Sequence, residues 1–336
     1  MAAEAHPIAT GGRSSLERPL RARLPDQLMR WVLTALAAGI LVLIGYFFIK
    51  LISEARPALD KFGVIGFTFD NNWDVSRSIY GALPLVVGTL ITSALALLIG
   101  VPIAVATAIF LVELCPPRAK TPLTIMVDLL AAVPSVVYGL WGFYFLIPKL
   151  LPVEQWFTDT FSFIPFLGSA GTIAGPNYFI AGLVLAIMIL PIVSAISREV
   201  LTTVPSDHKE AALALGMTRW EMIKTAMLPY ARRGIVGGSM LGLGRAIGET
   251  IAVVIVIGDA PVIGKNIFDQ GYTLASVIAN EFGEAASQPL HRAALIGAGL
   301  VLFVLTFIVN AIARLIVARS EREGETPLTP TAQLGA

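Results

Sequence analysis

The 336-residue sequence has few of the side chains that most enzymes use: one cysteine, three histidines and a charged fraction of only 14%. The single cysteine, Cys115, excludes an intramolecular disulfide. The histidines (His6, His208 and His291) all lie outside the long apolar segments, so a histidine-based metal centre or nucleophile–base pair has no candidate there. The net charge of +1 gives no basic footprint for nucleic acid. We therefore predict no catalytic residue and no metal site.

Apolar residues are what the sequence has in excess. They make up 56% of the chain, with a mean hydropathy of +0.77, whereas soluble proteins have about 45–50% apolar residues. A helix needs about 20 apolar residues to cross roughly 30 Å of hydrocarbon. Six segments meet this requirement: 31–53, 83–112, 123–147, 178–201, 235–258 and 293–317. The sequence therefore predicts an all-α integral membrane protein with six transmembrane helices, in which residues 31–53 form an anchor and residues 83–317 one transmembrane domain.

The Lys and Arg residues predict the orientation. Sixteen lie in residues 1–30, in the loops 113–122 and 198–233 and in the C-terminal segment, against seven in the intervening loops. Positively charged loops tend to stay on the cytoplasmic side. We therefore expect a multi-pass protein of the cell membrane with both termini in the cytoplasm. Residues 1–30, which are basic, and residues 318–336 are expected to be cytoplasmic tails, the first of them disordered.

The loop at 204–233 predicts two short helices joined by a glycine turn. Ser206 suits an N-cap, and Gly216 follows the first helix at a position where positive φ favours glycine. Thr218 and Glu221 have the spacing of a capping box for the second helix. On these features alone the loop is either an ordinary cytoplasmic hairpin or a docking hairpin. A DNA-reading helix-turn-helix does not fit a position between two spans.

Residues in this loop resemble the EAA loop of ABC importer permeases, whose pattern is E-A-A, three residues, G, nine residues, then I-x-L-P. The matching positions are Glu210, Ala211, Ala212, Gly216, Leu228 and Pro229. Ala226 departs from the pattern, which has isoleucine there, and this predicts a looser apolar anchor. The resemblance implies that the first helix docks in a cleft of an ATP-hydrolysing subunit, with Glu210 and Gly216 shaping the coupling hairpin.

The ATP-hydrolysing site itself has no counterpart in the sequence. The nearest match to a phosphate-binding P-loop is "GDAPVIGKN" at 258–266. It has five residues between its glycines where the P-loop has four, and asparagine follows the lysine where Ser or Thr is required. We therefore predict that the chain binds no cofactor directly and that ATP is used by a separate partner subunit.

Four further segments point to one group within the ABC importer permeases. They are residues 80–93, 134–142, 187–201 and 242–254, the last reading "GLGRAIGETIAVV". They are similar to the phosphate-specific transport permeases, the PstC-type subunits. The resemblance implies the type I ABC importer architecture and a permease that forms half of a phosphate pathway. It implies as partners a homologous PstA-type permease, a dimer of PstB-type ATPases and an external phosphate-binding protein. A permease for a related oxyanion is the alternative, whereas a non-ABC carrier or channel, or an intramembrane enzyme, has less support in the residues.

Two charged residues, Arg245 and Glu249, lie inside the fifth apolar segment. On a continuous helix they share a stripe about 80° wide with Gly234, Gly238 and Gly242, which predicts that the stripe packs against protein. Three interpretations remain open: a structural salt bridge, a site where Arg245 contacts the translocated anion while Glu249 holds it, and a gate whose pairing switches. The predicted pathway residues are Arg245, Glu249, Thr250, Ser135 and Tyr138.

Overall fold

Most of the described chain is helical. The computed structural model describes the backbone of residues 20–164, 167–168 and 175–322 and the side chains of residues 27–164, 167–168 and 175–315. The predicted tails lie largely outside these ranges, at 1–19 and 323–336. Residues 20–30, predicted to be disordered, instead begin the first helix.

The helices of the described ranges are α1 (Leu20–Phe62), α2 (Val64–Phe69), α3 (Leu83–Ile109), α4 (Pro117–Leu130), α5 (Ser135–Trp141), α6 (Ile147–Thr160), α7 (Tyr178–Thr202), α8 (Ser206–Ala214), α9 (Arg219–Met222), α10 (Leu228–Gly248), α11 (Ile251–Ile257), α12 (Leu274–Glu281) and α13 (Pro289–Arg322). Three π-helical turns, Phe110–Leu114, Gly142–Leu146 and Ile223–Met227, continue α3, α5 and α9, and a 3₁₀ turn covers Glu284–Ser287. One short antiparallel hairpin pairs β1 (Trp73–Asp74) with β2 (Ile79–Tyr80).

The chain divides into two compact units, residues 1–50 and residues 51–336, and α1 begins in the first and ends in the second. Nearly every side chain of α1 between residues 27 and 50 is exposed. The segment Gln27–Phe62 is apolar and long enough to cross a membrane, so its exposed surface suits lipid. The predicted anchor at 31–53 lies inside this segment.

Five helical segments of the described ranges are long and apolar enough to cross a membrane, and a sixth is a bent pair. The five are Gln27–Phe62, Leu83–Leu114, Ser135–Thr160, Tyr178–Thr202 and Pro289–Leu315; the pair is Arg219–Gly248 with Ile251–Ile257, bent by 65°. The predicted all-α membrane architecture is therefore confirmed, and the predicted number of six spans is reached when the bent pair counts as one.

The third span differs from the prediction of one helix over 123–147. Helix α4 ends at Leu130, and α5 begins only at Ser135, after a turn. Pro134 explains this break, because proline disfavours helical backbone at the preceding residue and lacks an N–H donor. Beyond the break, the helix continues through its π-helical turn to Thr160, so the apolar span runs over 135–160.

Helix α7 is the central helix of the second unit, and most of its side chains are buried. The Asn177 side chain caps it by accepting a hydrogen bond from the Ile180 N–H at 2.8 Å. Glycines of α10 lie directly against its other end. A Cβ at Gly234 would come within 2.3 Å of Val200, and one at Gly238 within 3.0 Å of Ile196.

The same close approach continues one turn further, where a Cβ at Gly242 would lie 2.9 Å from Val193. The structure thus places the predicted packing glycines along one seam with α7. Small residues spaced four apart allow two helices to approach this closely.

Gly238 offers a direct test of this seam. Gly238→Leu is expected to lower the free energy of unfolding of the purified chain by about 1–3 kcal/mol, because the added carbons overpack Ile196. The midpoint of thermal unfolding in detergent measures the change. Gly237→Leu is the matched control, since a Cβ at Gly237 meets nothing within 4 Å. Equal midpoints for the two variants would contradict the packing role.

Candidate functional site

The α10 helix stops inside the sequence "GLGRAIGET". Gly248 is its last residue, Glu249 has extended backbone (φ −71°, ψ 130°), and α11 begins at Ile251. The Thr250 hydroxyl donates to the Gly248 carbonyl at 3.2 Å, which satisfies one acceptor that the break leaves open. Glycine has a low helix propensity, so Gly248 is a favourable place for the interruption.

This break overturns the prediction that Arg245 and Glu249 share one helical face. Glu249 lies beyond the helix end, so a rotation of 100° per residue no longer relates it to the glycine stripe. Arg245 remains on α10 but is exposed, whereas the following Ala246 and Ile247 are buried. Ala246 lies four residues after Gly242 and extends the buried row into a cluster with side chains of α5 and α11, whereas Arg245 lies beside this row.

The two charges are also not paired with each other. Both side chains are described, yet the ion pairs found in the described ranges do not include Arg245 with Glu249. Glu249 and Thr250 are half-buried beside the break. The intrahelical salt bridge considered from the sequence is thus absent from this arrangement.

The contacts along α7 give the depth of Arg245. Gly234 lies opposite Val200 and Gly242 opposite Val193, so α10 runs antiparallel to α7. Continuing three residues past Gly242 brings Arg245 level with about residue 190 of α7, roughly 18 Å from either end of that helix at 1.5 Å per residue. The exposed Arg245 side chain is therefore attached to α10 near the middle of the helix bundle.

Helix α5 approaches the same level from the other side. A Cβ at Gly139 would lie 3.1 Å from the Cα of Ala252 on α11, and one at Gly142 would lie 2.9 Å from Val184 on α7. These approaches place α5 directly against α11, and the π-helical turn that continues α5 against the first half of α7. The break at 131–134 and the break at 249–250 therefore adjoin the same part of the bundle.

The structure places Tyr138 in the same buried cluster as Ala246, the residue that follows Arg245. Tyr138 is buried and donates a hydrogen bond of 2.7 Å to the carbonyl oxygen of Leu130, across the α4–α5 break. The hydroxyl proton of Tyr138 is therefore used in this bond, while its hydroxyl oxygen can still accept a hydrogen bond. Ser135 is half-buried as the first residue of α5.

The two helices and the glycine turn predicted at 204–233 form, with small corrections. Pro205, not Ser206, occupies the N-cap position of α8. Gly216 has φ +80°, and Thr218 with Glu221 forms the predicted capping box at the start of α9. The second helix continues through the π-helical turn Ile223–Met227 and past Pro229 into α10.

The EAA-like residues divide between two faces of this hairpin. Ala212 is 7% exposed and packs with Leu201 and Met222, so it faces the protein. Glu210 and Ala211 are exposed and so point away from it. The hairpin thus has one face fixed to the bundle and one face available to a partner.

Two features of the hairpin were not predicted from the sequence. Lys209 forms an ion pair of 2.5 Å with Glu113, which fastens α8 to the end of the second span. Leu215 and Trp220 are 78% and 64% exposed, so the outward face is apolar as well as acidic. Leu215 and Trp220 are apolar residues in a polar turn, so the sequence could have indicated the apolar face. No local pattern indicates the ion pair.

A second polar cluster lies at the opposite end of the bundle from the hairpin. The Glu281 carboxylate accepts from Trp73 Nε1 at 3.1 Å and is 2.9 Å from His291 Nε2. His291 is buried and stacks on Tyr80. Burial and the charge of Glu281 raise the pKa of Asp259 to about 6. Within the described ranges, no three His, Cys, Asp or Glu side chains are grouped so that they could hold a metal ion.

Known proteins resemble this chain over most of its length. Residues 100–322 match the family model described as binding-protein-dependent transport system inner membrane component. The chain is 42% identical over 321 residues to the phosphate transport system permease protein PstC of Mesorhizobium japonicum, covering 94% of this chain and 96% of that protein. It is 45% identical over 273 residues to the PstC protein of Pasteurella multocida, covering 79% and 83%.

The fold resembles that of a solved transporter as well. A bacterial ABC transporter involved in the import of the acidic polysaccharide alginate aligns with a TM-score of 0.59 at 17% identity, over 88% of this chain and 99% of that chain. At that identity the match concerns the fold alone.

Proposed function

Because the chain belongs to the family of binding-protein-dependent transport system inner membrane components, we infer that it is the permease subunit of an ATP-driven importer of inorganic phosphate. It is a transport subunit and not an enzyme. Its fold is that of an ABC importer permease in the membrane. The phosphate specificity follows from relatives that carry this activity in their names and cover nearly the whole chain.

The position of Arg245 is the observation that supports a phosphate pathway in this chain. A charge on a helix at mid-depth is costly in hydrocarbon, by about 2.5–3.5 kcal/mol on insertion scales, so its exposed side chain has to face protein or water. Arginine presents a planar fork of donors that matches phosphate oxygens. We therefore place Arg245 in the wall of a pathway, with Tyr138 and Ser135 of α5 on the adjoining side.

Glu249 has a complementary role in this pathway. A lone fixed cation would bind phosphate too tightly, and passage requires binding that is favourable enough to enter and weak enough to leave. The break after Gly248 frees Glu249 from the packed face of α10, so its carboxylate can reduce the net attraction without forming a permanent pair with Arg245. Thr250 supports the break through its hydrogen bond to Gly248.

The pathway needs a second half because Arg245 faces outward from this single chain. We assign that half to a homologous permease of the PstA type. A dimer of PstB-type ATPases docks on the outward face of the hairpin, at Glu210 and Ala211, and supplies the ATP hydrolysis; the chain itself binds no cofactor. An external phosphate-binding protein delivers the substrate at the other end. We also assign the hairpin and both termini to the cytoplasm, which the distribution of Lys and Arg favours.

Uptake by the reconstituted complex tests the function. Vesicles that contain the complete transporter are expected to accumulate labelled phosphate only with internal ATP and external binding protein. Labelled sulfate, offered in the same vesicles, tests the alternative of another oxyanion. Phosphate accumulation without the ATPase subunit would contradict the assignment and favour a carrier or channel.

A further inference from the structure

Helix α4 is held to the rest of the chain in an unusual way. None of its residues is buried, so hydrophobic packing inside this chain does little to fix its position. Among the described residues, side-chain hydrogen bonds join α4 to other elements at two places. One is the Asp128–Arg198 contact, and the other is the bond from Tyr138 to the Leu130 carbonyl.

The first of these contacts is an ion pair between a mostly buried Arg198 side chain and an Asp128 side chain that is 48% exposed. Arg198 Nη2 lies 2.6 Å from Asp128 Oδ1. The Arg198 side chain is only 15% exposed, and its Nε is buried without a partner among the described residues. Removal of the Asp128 carboxylate would leave a nearly buried guanidinium uncompensated, which is far less favourable than the loss of an exposed pair.

The second contact lies two residues further along the same helix. Leu130 ends α4, and its carbonyl accepts the Tyr138 hydroxyl across the 131–134 break. Any shift of α4 therefore moves the acceptor that orients Tyr138, which in turn packs in one buried cluster with Ala246, the neighbour of Arg245.

The location of Arg198 adds a connection to the hairpin. Arg198 lies four residues before the end of α7 at Thr202, and α8 begins at Ser206. The pair thus lies between the hairpin and the 131–134 break, beyond which α5 carries Tyr138.

We propose that Asp128 and Arg198 are positioning residues for phosphate passage: their ion pair holds α4 so that the Leu130 carbonyl keeps Tyr138 in the pathway wall. This inference rests on the proposed function, because it assumes that the pathway adjoins α5. Neither residue contacts the substrate. The pair acts on transport through the position of the α4–α5 break.

The test compares Asp128→Asn, Arg198→Gln and the exchanged pair Asp128→Arg with Arg198→Asp in the reconstituted transporter. Each single change is expected to lower phosphate transported per ATP hydrolysed by about fivefold or more. The exchanged pair is expected to recover most of this ratio, since opposite charges again face each other. Glu199→Gln is the matched control, because Glu199 is an exposed carboxylate next to Arg198. Wild-type coupling in both single variants, or an exchanged pair no better than either of them, would overturn the proposal.

A second readout measures position without any transport. Cys115 is the single cysteine of the chain, so Cys115→Ser with Ser135→Cys gives one reporter thiol at the start of α5. Adding Asp128→Asn is expected to raise the rate at which a water-soluble maleimide labels that thiol. Without the ion pair, α4 is held less firmly, and the start of α5 beside the 131–134 break becomes more accessible. An unchanged labelling rate would overturn the positioning role. A changed rate, when the wild-type complex transports no phosphate, would leave the positioning role standing and count against the proposed function.

Discussion

Arg245→Gln is expected to lower ATP-driven phosphate uptake by about 10- to 100-fold, the range that corresponds to loss of a charged hydrogen bond in a site shielded from bulk water. Arg245 is exposed at mid-depth of the bundle and is not needed for the packing seam, so the amount of assembled transporter should stay the same. Uptake of labelled phosphate by vesicles, divided by the amount of complex recovered with the ATPase, measures the effect. Arg245→Lys keeps the charge but not the planar fork and should retain partial uptake.

Glu249→Gln separates the interpretations that the sequence left open. If Glu249 weakens the hold of Arg245 on phosphate, Glu249→Gln should lower both the KM for phosphate and the maximal uptake rate, because release becomes slow. The double change should be as inactive as Arg245→Gln. Loss of assembly in the single variants with recovery in the double variant would instead show a structural salt bridge, although the ion pairs found among the described residues do not include Arg245 with Glu249.

The two helix breaks show what the sequence can and cannot predict about this site. The break at 131–134 has a local cause in Pro134, which is visible in the sequence. The break after Gly248 has only weak local signals, because glycines also occur at the packed positions of the same helix. The helical-angle prediction assumed a continuous α10, so it placed Gly238 and Gly242 correctly against α7 and misplaced Glu249, which follows the break.

Contacts between distant parts of the chain were beyond sequence reasoning for a different reason. Lys209 pairs with Glu113, 96 residues earlier, and Arg198 pairs with Asp128, 70 residues earlier. A periodic pattern or a capping rule describes neighbours along one helix, so it identified Thr218 with Glu221 but contains no information on which helices meet. The depth of Arg245 likewise needed the measured contacts of α10 with α7.

The coupling hairpin could be predicted in more detail than the pathway because its determinants are local. Capping, the positive φ of Gly216 and the spacing of the EAA-like residues all act within about 20 residues. What the structure adds is the division of faces. Ala212 is fixed to the bundle, while Glu210 is exposed together with the apolar side chains of Leu215 and Trp220.

That division makes Glu210→Lys the sharpest test of coupling. The change reverses a charge on the outward face, and like or unpaired charges at a docking surface cost affinity for the partner. We expect phosphate transported per ATP hydrolysed to fall by about tenfold or more, which corresponds to about 1.4 kcal/mol of lost coupling. The thermal unfolding midpoint of the chain should not change, because Glu210 is exposed.

Ala212→Lys provides the contrast that identifies the mechanism. Ala212 is buried against Leu201 and Met222, so a lysine there should detach α8 and lower the unfolding midpoint as well as uptake. Glu210→Gln should lie between wild type and Glu210→Lys in coupling, because it removes the charge without reversing it. Unchanged ATPase binding and coupling in Glu210→Lys would move the docking surface away from this face. Loss of coupling with full stability in Glu210→Lys, beside loss of both in Ala212→Lys, would instead identify the exposed face of α8 as the surface that receives the force of ATP hydrolysis.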